Sequence, residues 1–400
     1  MGLDKVLKEL KIPCVIGNVV DGPQVESYRL EPGFYPYASK NTPPMRIKVQ
    51  SIINRAADIA IGIGAKDVYI RNDDGVWIEI PKEECDIVSL DDVEEPQGYG
   101  LPVRLGLTTR GDPVSIDMAS PPSPHLLIAG ATGAGKSVCI NSIIYDLVKR
   151  YTPDELQLVM IDPKRIELAR FKELKHLKCD VITSVHTAED ALRNLIEQME
   201  MRYENMEMYG YTDISQADGP RIVVIIDEYA DLVLQNPFIP MLVARLAQKG
   251  RAAGIHLVLA TQRPSVDVID GVIKANFPAR VAFSVATGMD SRVILDRSGA
   301  EKLTGMGDGL LLLGGKITRF QGIFVDDDSI AELVSKNKKP APIDEGGAHI
   351  EYEYNDKGYM TKMTVTPSNY VEEKEVSPVG GYIVMAVVAM LLFACLIGAL

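Results

Sequence analysis

The sequence predicts an α/β protein built around a sheet with helices on both faces, and three observations predict it. From Leu105 to about Val334, short strands that are apolar throughout alternate with amphipathic helical patterns. A glycine-rich stretch joins one of these strands to a helix, and two carboxylates close another. Runs that are apolar on both faces belong to strands covered by helices on either side, the mark of a parallel sheet. The chain has 400 residues, 46% hydrophobic and 24% charged. That length allows two or three domains with a sizeable core, and that balance is of a folded chain rather than a disordered one.

The elements follow in order. Residues 1–100 read as a smaller α/β unit. Val25–Leu30 alternates as a strand, Ile47–Ala60 has helical spacing, and Asp67–Ile70 and Val76–Ile80 flank a turn at Asn72–Gly75. The acidic stretches Glu83–Asp86 and Asp91–Glu95, then Pro96, read as a linker. Residues 101–335 hold the main sheet, with strands expected at His125–Ala129, Leu156–Ile161, Arg221–Ile226, Ile255–Ala260 and Arg280–Ser284. Residues 336–378 read as polar linker (Lys336–Pro342) interrupted by one hairpin. Its strands are Ile350–Tyr354 and Met360–Val365, around Asn355–Gly358.

The two ends of the chain differ. Met1–Lys11 is charged and carries no apolar signal segment. Residues 379–400 are expected to form a transmembrane helix, because Tyr382–Leu400 is a run of 19 residues without a charge and without a polar face. Such an anchor would leave the folded body on the cytoplasmic side of a membrane. The flank Glu372–Glu375 has a single positive charge and adds little to that orientation. Five cysteines (Cys14, Cys85, Cys139, Cys179 and Cys395) show no CxxC pair and no metal-ligand spacing, so reduced thiols are expected. A net charge of −13 excludes a surface that is basic throughout, but not positive charge confined to the lining of a ring or channel.

Two motifs carry chemistry. Gly130–Ser137 reads GATGAGKS, the phosphate-loop pattern G-x-x-x-x-G-K-[ST], after the strand His125–Ala129 and before the helical pattern Val138–Val148. Gly130, Ala131, Thr132, Gly133, Ala134, Gly135, Lys136 and Ser137 are therefore expected to wrap the phosphates of ATP. Backbone N–H groups would point inward, Lys136 would bridge the β- and γ-phosphates, and Ser137 would ligate Mg²⁺. Arg221–Glu228 reads RIVVIIDE, which places Asp227 to hold Mg²⁺ and Glu228 to orient and deprotonate the attacking water. Acidic strand ends also serve as helix caps; here the partnership with the phosphate loop favours the catalytic reading. Gln262, at the polar end of the strand in Leu259–Pro264, is either a γ-phosphate sensor or part of an ordinary strand-to-loop turn. Leu242–Gly254 reads as a helix with Arg245 and Arg251 on different faces, candidates for a finger supplied by a neighbouring subunit in a closed ring.

Together these segments resemble the FtsK/SpoIIIE family of double-stranded DNA translocases. The resemblance runs through HLLIAGATGAGKSVCIN (His125–Asn141), IDPKRIEL (Ile161–Leu168), IVVIIDEYADL (Ile222–Leu232) and the long stretch Ala244–Phe283, and continues over Asp290–Leu312. Gly22–Pro32 and the α/β stretch after it look like the family's accessory domain. The resemblance implies a RecA-like P-loop NTPase motor that assembles as a homo-hexamer around duplex DNA and pumps it at the expense of ATP. It places Gln262 at the family's sensor position, and it puts Arg251 ahead of Arg245 as the finger. DNA contacts would go mostly to phosphates, with Lys164, Arg165, Lys274 and Arg280 as candidates.

Members that act in cell division usually carry N-terminal membrane spans and a C-terminal winged-helix domain. Here the chain opens at the accessory unit and closes on a hairpin, a linker and the apolar run, which fits a phage or mobile-element motor at a membrane. Two other readings stand beside translocation. One is a coupling or packaging ATPase that drives DNA or a virion through membrane-apparatus partners. The other is an ATP-switched membrane scaffold, against which Glu228 argues, since a scaffold needs no water-activating carboxylate.

Overall fold

In the computed structural model the residues described are 2–35, 45–72, 75–83, 85–96, 100–217, 219–339, 348–354 and 360–367. They fall into two units, Met1–Lys339 and Pro340–Leu400. The turn residues Asp73 and Asp74, the Asn355–Gly358 turn and the run Tyr382–Leu400 lie outside the described residues. Among those described, no helix is long and apolar enough to cross a membrane.

The first unit opens with α1 (Leu3–Glu9), followed by β1 (Cys14–Asp21), β2 (Val25–Pro32), α2 (Val49–Ile53), α3 (Ala56–Ile63), β3 (Tyr69–Asn72) and β4 (Val76–Pro81). The four strands form an antiparallel sheet in the order β1-β2-β4-β3. Along β2, Val25, Ser27 and Leu30 are buried while Glu26, Arg29 and Glu31 are exposed, a one-sided burial whose period-2 alternation shifts by one residue past Tyr28. Leu7, Ile52 and Ile59 from the three helices pack with Leu30, Val76 and Ile78 to form that cover. The sequence points to one helix over Ile47–Ala60, but the structure has two, broken at Arg55, whose backbone (φ −100°, ψ 8°) leaves helical geometry. β1 escapes the alternation rule because its ladder to β2 slips between Ile16 and Val19, across Gly17 and Asn18.

The main sheet has nine strands among the described residues. Its strands and helices, in chain order, are β5 (Pro102–Thr108), β6 (Pro113–Asp117), β7 (Leu126–Ala129), α4 (Lys136–Arg150), β8 (Leu156–Ile161), α5 (Val185–Tyr209), β9 (Arg221–Ile226), α6 (Tyr229–Gln235), α7 (Ile239–Lys249), β10 (Ile255–Thr261), α8 (Gly271–Asn276), β11 (Ala279–Phe283), α9 (Gly288–Leu295), β12 (Asp308–Leu313), β13 (Lys316–Gly322) and α10 (Asp327–Lys336). The strand order is β6-β5-β13-β12-β11-β7-β10-β9-β8. The stretch from β11 to β8 is parallel, and β12, β13, β5 and β6 extend it antiparallel.

Both faces of the parallel part are covered, which is why its strands read as largely apolar runs. Leu127, Val224 and Leu257 pack on one side with Leu192 of α5, Leu246 of α7 and Ile294 of α9. Leu126, Val223 and Val258 pack on the other with Ile143 and Leu147 of α4 and Leu333 of α10. The small sheet meets the large one through Gln24, whose Nε2 donates to Gln321 Oε1 of β13. Tyr69 of β3 also meets β13, its ring 4.8 Å from the Arg319 guanidinium. Beyond residue 339, β14 (Ala348–Tyr354) and β15 (Met360–Pro367) pair antiparallel, with Ile350 opposite Val365, as the alternation predicts.

Candidate nucleotide site

Sheet topology brings the two motifs to one edge. The loop 130–135 leaves the C-terminal end of β7, and Asp227, Glu228 and Gln262 leave the C-terminal ends of β9 and β10 beside it. In open α/β sheets that edge is where ligands bind. The loop turns into α4 through Gly135, whose φ of 119° suits glycine. A Cβ there would also lie 2.8 Å from the Gly307 backbone, which packs directly on the loop and donates its N–H to Ala134 O at 3.0 Å. No side chain caps the first turn of α4, so its N–H groups stay available for an anion.

The buried side chains of the site are already in contact. Lys136 Nζ donates to Asp227 Oδ1 at 2.6 Å and to Asp227 O at 3.0 Å. Burial raises the Asp227 carboxyl, and the Lys136 ammonium opposes that rise. Glu228, 1% exposed, is held by three donors. Thr261 Oγ1 reaches its Oε1 at 2.7 Å, and the Gln262 N–H approaches both oxygens at 3.1 and 3.2 Å. Lys164 Nζ reaches Oε2 at 2.9 Å. The Gln262 side chain accepts from Thr132 Oγ1 at 3.1 Å, which ties the end of β10 to the phosphate loop.

A cavity of about 550 Å³ adjoins the loop. Thr132, Lys136, Ser137 and Gln262 line it at one end, and Val88, Met306, Ile323 and Phe324 give it an apolar wall. That volume suits a nucleotide-sized ligand. Among the described residues no cluster of three or more His, Cys, Asp or Glu side chains could hold a metal. Asp227 Oδ2 is nevertheless buried without a hydrogen-bond partner, and Ser137 lies at the start of α4 on the same cavity. A carboxylate oxygen and a hydroxyl are the hard donors that Mg²⁺ takes, with phosphate and water oxygens completing its shell, so the residues fit that ion.

The other expected residues lie elsewhere. α7 ends at Lys249, so Arg251 sits beyond the helix that was expected to carry it, and Arg251 Nε donates to Ala119 O at 3.1 Å. This is the N-terminal edge of the parallel strands, opposite the phosphate loop. Arg245 stays on α7, paired with Glu200 at 2.9 Å. Three of the four DNA-contact candidates have internal partners. Lys164 holds Glu228, and Lys274 and Arg280 both pair with Asp296, each at 2.7 Å. Arg165 is exposed and left-handed, with φ 61°. The apolar cavity wall had no motif to announce it. Lys164, singled out from the sequence as a DNA-phosphate candidate, follows β8 on the ligand edge and bonds Glu228 instead.

A glycine loop between strand and helix, with an acidic strand end beside it on a parallel sheet, defines the P-loop class of nucleotide-binding α/β folds. Two solved structures share this fold. The pCW3 conjugation coupling protein TcpA, in monomer form with ATPγS, is 22% identical, with a TM-score of 0.57 over 84% of this chain and 98% of that one. The cytoplasmic domain of the Thermomonospora curvata type VII secretion ATPase EccC is 23% identical, with a TM-score of 0.53 over 62% of this chain and 32% of that one. The model of the FtsK/SpoIIIE family matches residues 95–221 and 215–266. The chain is 37% identical to the DNA translocase FtsK of Staphylococcus epidermidis over 90% of its own length and 48% of the relative's. It is 41% identical to the DNA translocase SftA of Bacillus subtilis over 85% of its own length and 37% of the relative's. The chain belongs to the FtsK/SpoIIIE family, and it spans about half or less of the length of these curated relatives.

Proposed function

We propose that this chain hydrolyses ATP and uses the energy to translocate double-stranded DNA. The observation that carries the proposal is the convergence of Lys136, Asp227, Glu228 and Gln262 on one sheet edge around the phosphate loop, in a chain related to proteins named DNA translocases. Bound Mg²⁺ would neutralise charge on the β- and γ-phosphates. Lys136 would leave Asp227 for the phosphates, and the Asp227 carboxylate and Ser137 hydroxyl would hold the ion. Glu228 takes the proton of the attacking water, and Gln262, already joined to Thr132, senses the γ-phosphate. Arg251 lies opposite its own loop, so it serves as a finger only in a neighbour's site, in keeping with a homo-hexameric ring. The run Tyr382–Leu400 serves as a membrane anchor that holds the motor on the cytoplasmic side. Membrane association that disappears when the chain stops at residue 378 tests the anchor. Steady-state hydrolysis with and without linear duplex, beside Lys136→Ala and Glu228→Gln, tests the motor.

A further inference from the structure

Glu228 is held by three donors, and Oε2 cannot take a water's proton while an ammonium is bound to it. Thr261 and the Gln262 N–H, which occupy one side of the carboxylate, belong to the end of β10 and are fixed by the sheet. The remaining donor to Oε2 is the Lys164 ammonium, at 2.9 Å, on a side chain that is 35% exposed. It alone of these donors sits on a flexible stem that reaches solvent.

The loop beneath that stem is rigid. The buried Asp162 carboxylate accepts the N–H groups of Lys164 and Arg165 on Oδ1 and those of Ile166 and Leu168 on Oδ2, at 2.9–3.1 Å. The position of Lys164 Cα is therefore set, and the ammonium is what remains free to move. A second carboxylate waits for it. Asp231, in the first turn of α6 that Glu228 precedes, has Oδ2 3.9 Å from Lys164 Nζ. Asp231 is 24% exposed where Glu228 is 1% exposed.

We propose that Lys164 is a positioning residue for hydrolysis, a latch that holds Glu228 off the water until its ammonium passes to Asp231. In the latched state Oε2 faces an ammonium, a donor that offers no route for the proton of a water. With the ammonium on Asp231, Oε2 loses its charged donor and can accept a water, while Thr261 and Gln262 still aim the carboxylate. This inference rests on Glu228 being the base.

The experiment measures ATP turnover of the full chain, with and without duplex DNA, for Lys164→Met, Asp231→Asn and Glu228→Gln. Lys164→Met, unlatched, is expected to raise DNA-free turnover severalfold and so shrink the ratio by which duplex stimulates it. Asp231→Asn, which takes away the second resting place but leaves the latch, is expected to lower duplex-stimulated turnover severalfold. A fall or no change in DNA-free turnover in Lys164→Met, with nucleotide binding and melting temperature retained, overturns the latch. If Lys164→Met does not fold, an Asp231→Asn variant with wild-type turnover overturns it alone. Glu228→Gln separates the two claims. Wild-type turnover in that variant defeats the reading of Glu228 as base, whereas a dead Glu228→Gln beside an unaltered Lys164→Met defeats only the latch.

Discussion

Lowering the pH from 7 to 5 should destabilise the folded chain through two buried histidines, one of them at the start of the strand that carries the phosphate loop. His125 lies one residue before β7 and is 0% exposed. Its Nδ1 accepts the Leu257 N–H at 3.0 Å, so the ring proton sits on Nε2, which donates to Ala247 O at 2.9 Å. A second proton would break the bond to β10 and place a charge 6.4 Å, ring to ring, from His256. Burial pushes His125 down to about 3 and His256 down to about 4, from an ordinary value of 6.5. Below pH 6.5 the unfolded chain therefore binds protons that the folded chain refuses, and stability present above pH 6.5 is lost as the pH falls toward 4 and 3. pH 5 lies about 1.5 units below the unfolded value and above both folded values, which at about 1.4 kcal/mol per unit costs about 2 kcal/mol for each ring and about 4 kcal/mol for the pair. Exposed carboxylates held low by hydrogen bonds, such as Glu155 and Asp326, lose their contribution further down the scale. Asp227, raised by burial, works in the opposite direction and is common to every variant. Urea unfolding by circular dichroism at both pH values, for wild type and His256→Gln, isolates one titration. The wild type should lose about 2 kcal/mol more between pH 7 and pH 5 than the variant. Equal losses would refute the assignment.

Two further expectations rest on particular contacts. Asp146 of α4 is fully buried and accepts from the backbone N–H, Nε and Nη2 of Arg104 on β5, at 3.0, 3.1 and 2.6 Å. Asp146→Ala strands that guanidinium in the core, and should cost about 3–5 kcal/mol in urea unfolding; a cost under about 1 kcal/mol contradicts the pairing. Arg251→Ala should lower turnover more than tenfold while leaving nucleotide affinity close to wild type, and mixing it with Lys136→Ala protein should restore part of the activity if the arginine acts across a subunit boundary. Simple dilution of activity on mixing argues for a role in its own fold.

The parallel strands were legible because two-sided burial leaves them apolar at nearly every position, and β8 and β9 lie where the apolar runs lie. The antiparallel extension was not legible as part of the same sheet. β5 and β6 lie before the phosphate loop and β12 and β13 near the other end of the unit, and only the β13–β5 ladder, with Phe320 opposite Thr108, joins them. The helix expected through Arg251 shows a signal misread: Gly250 and Gly254 flank the turn, and glycine just past the last periodic residue is a stop signal. At the site, strand–loop–helix order located the phosphate loop and the acidic strand end. The Lys164–Glu228 pair spans 64 residues of chain. No spacing rule reaches that far, so only the folded edge brings the two together.

The central claim is a DNA motor, and displacement of a third strand from linear duplex tests it most directly. The full chain, with ATP and the duplex that stimulates its hydrolysis, should strip a bound triplex-forming oligonucleotide, and Lys136→Ala and Glu228→Gln should not. Hydrolysis indifferent to duplex, with the triplex left in place, would keep the ATPase and contradict the translocase.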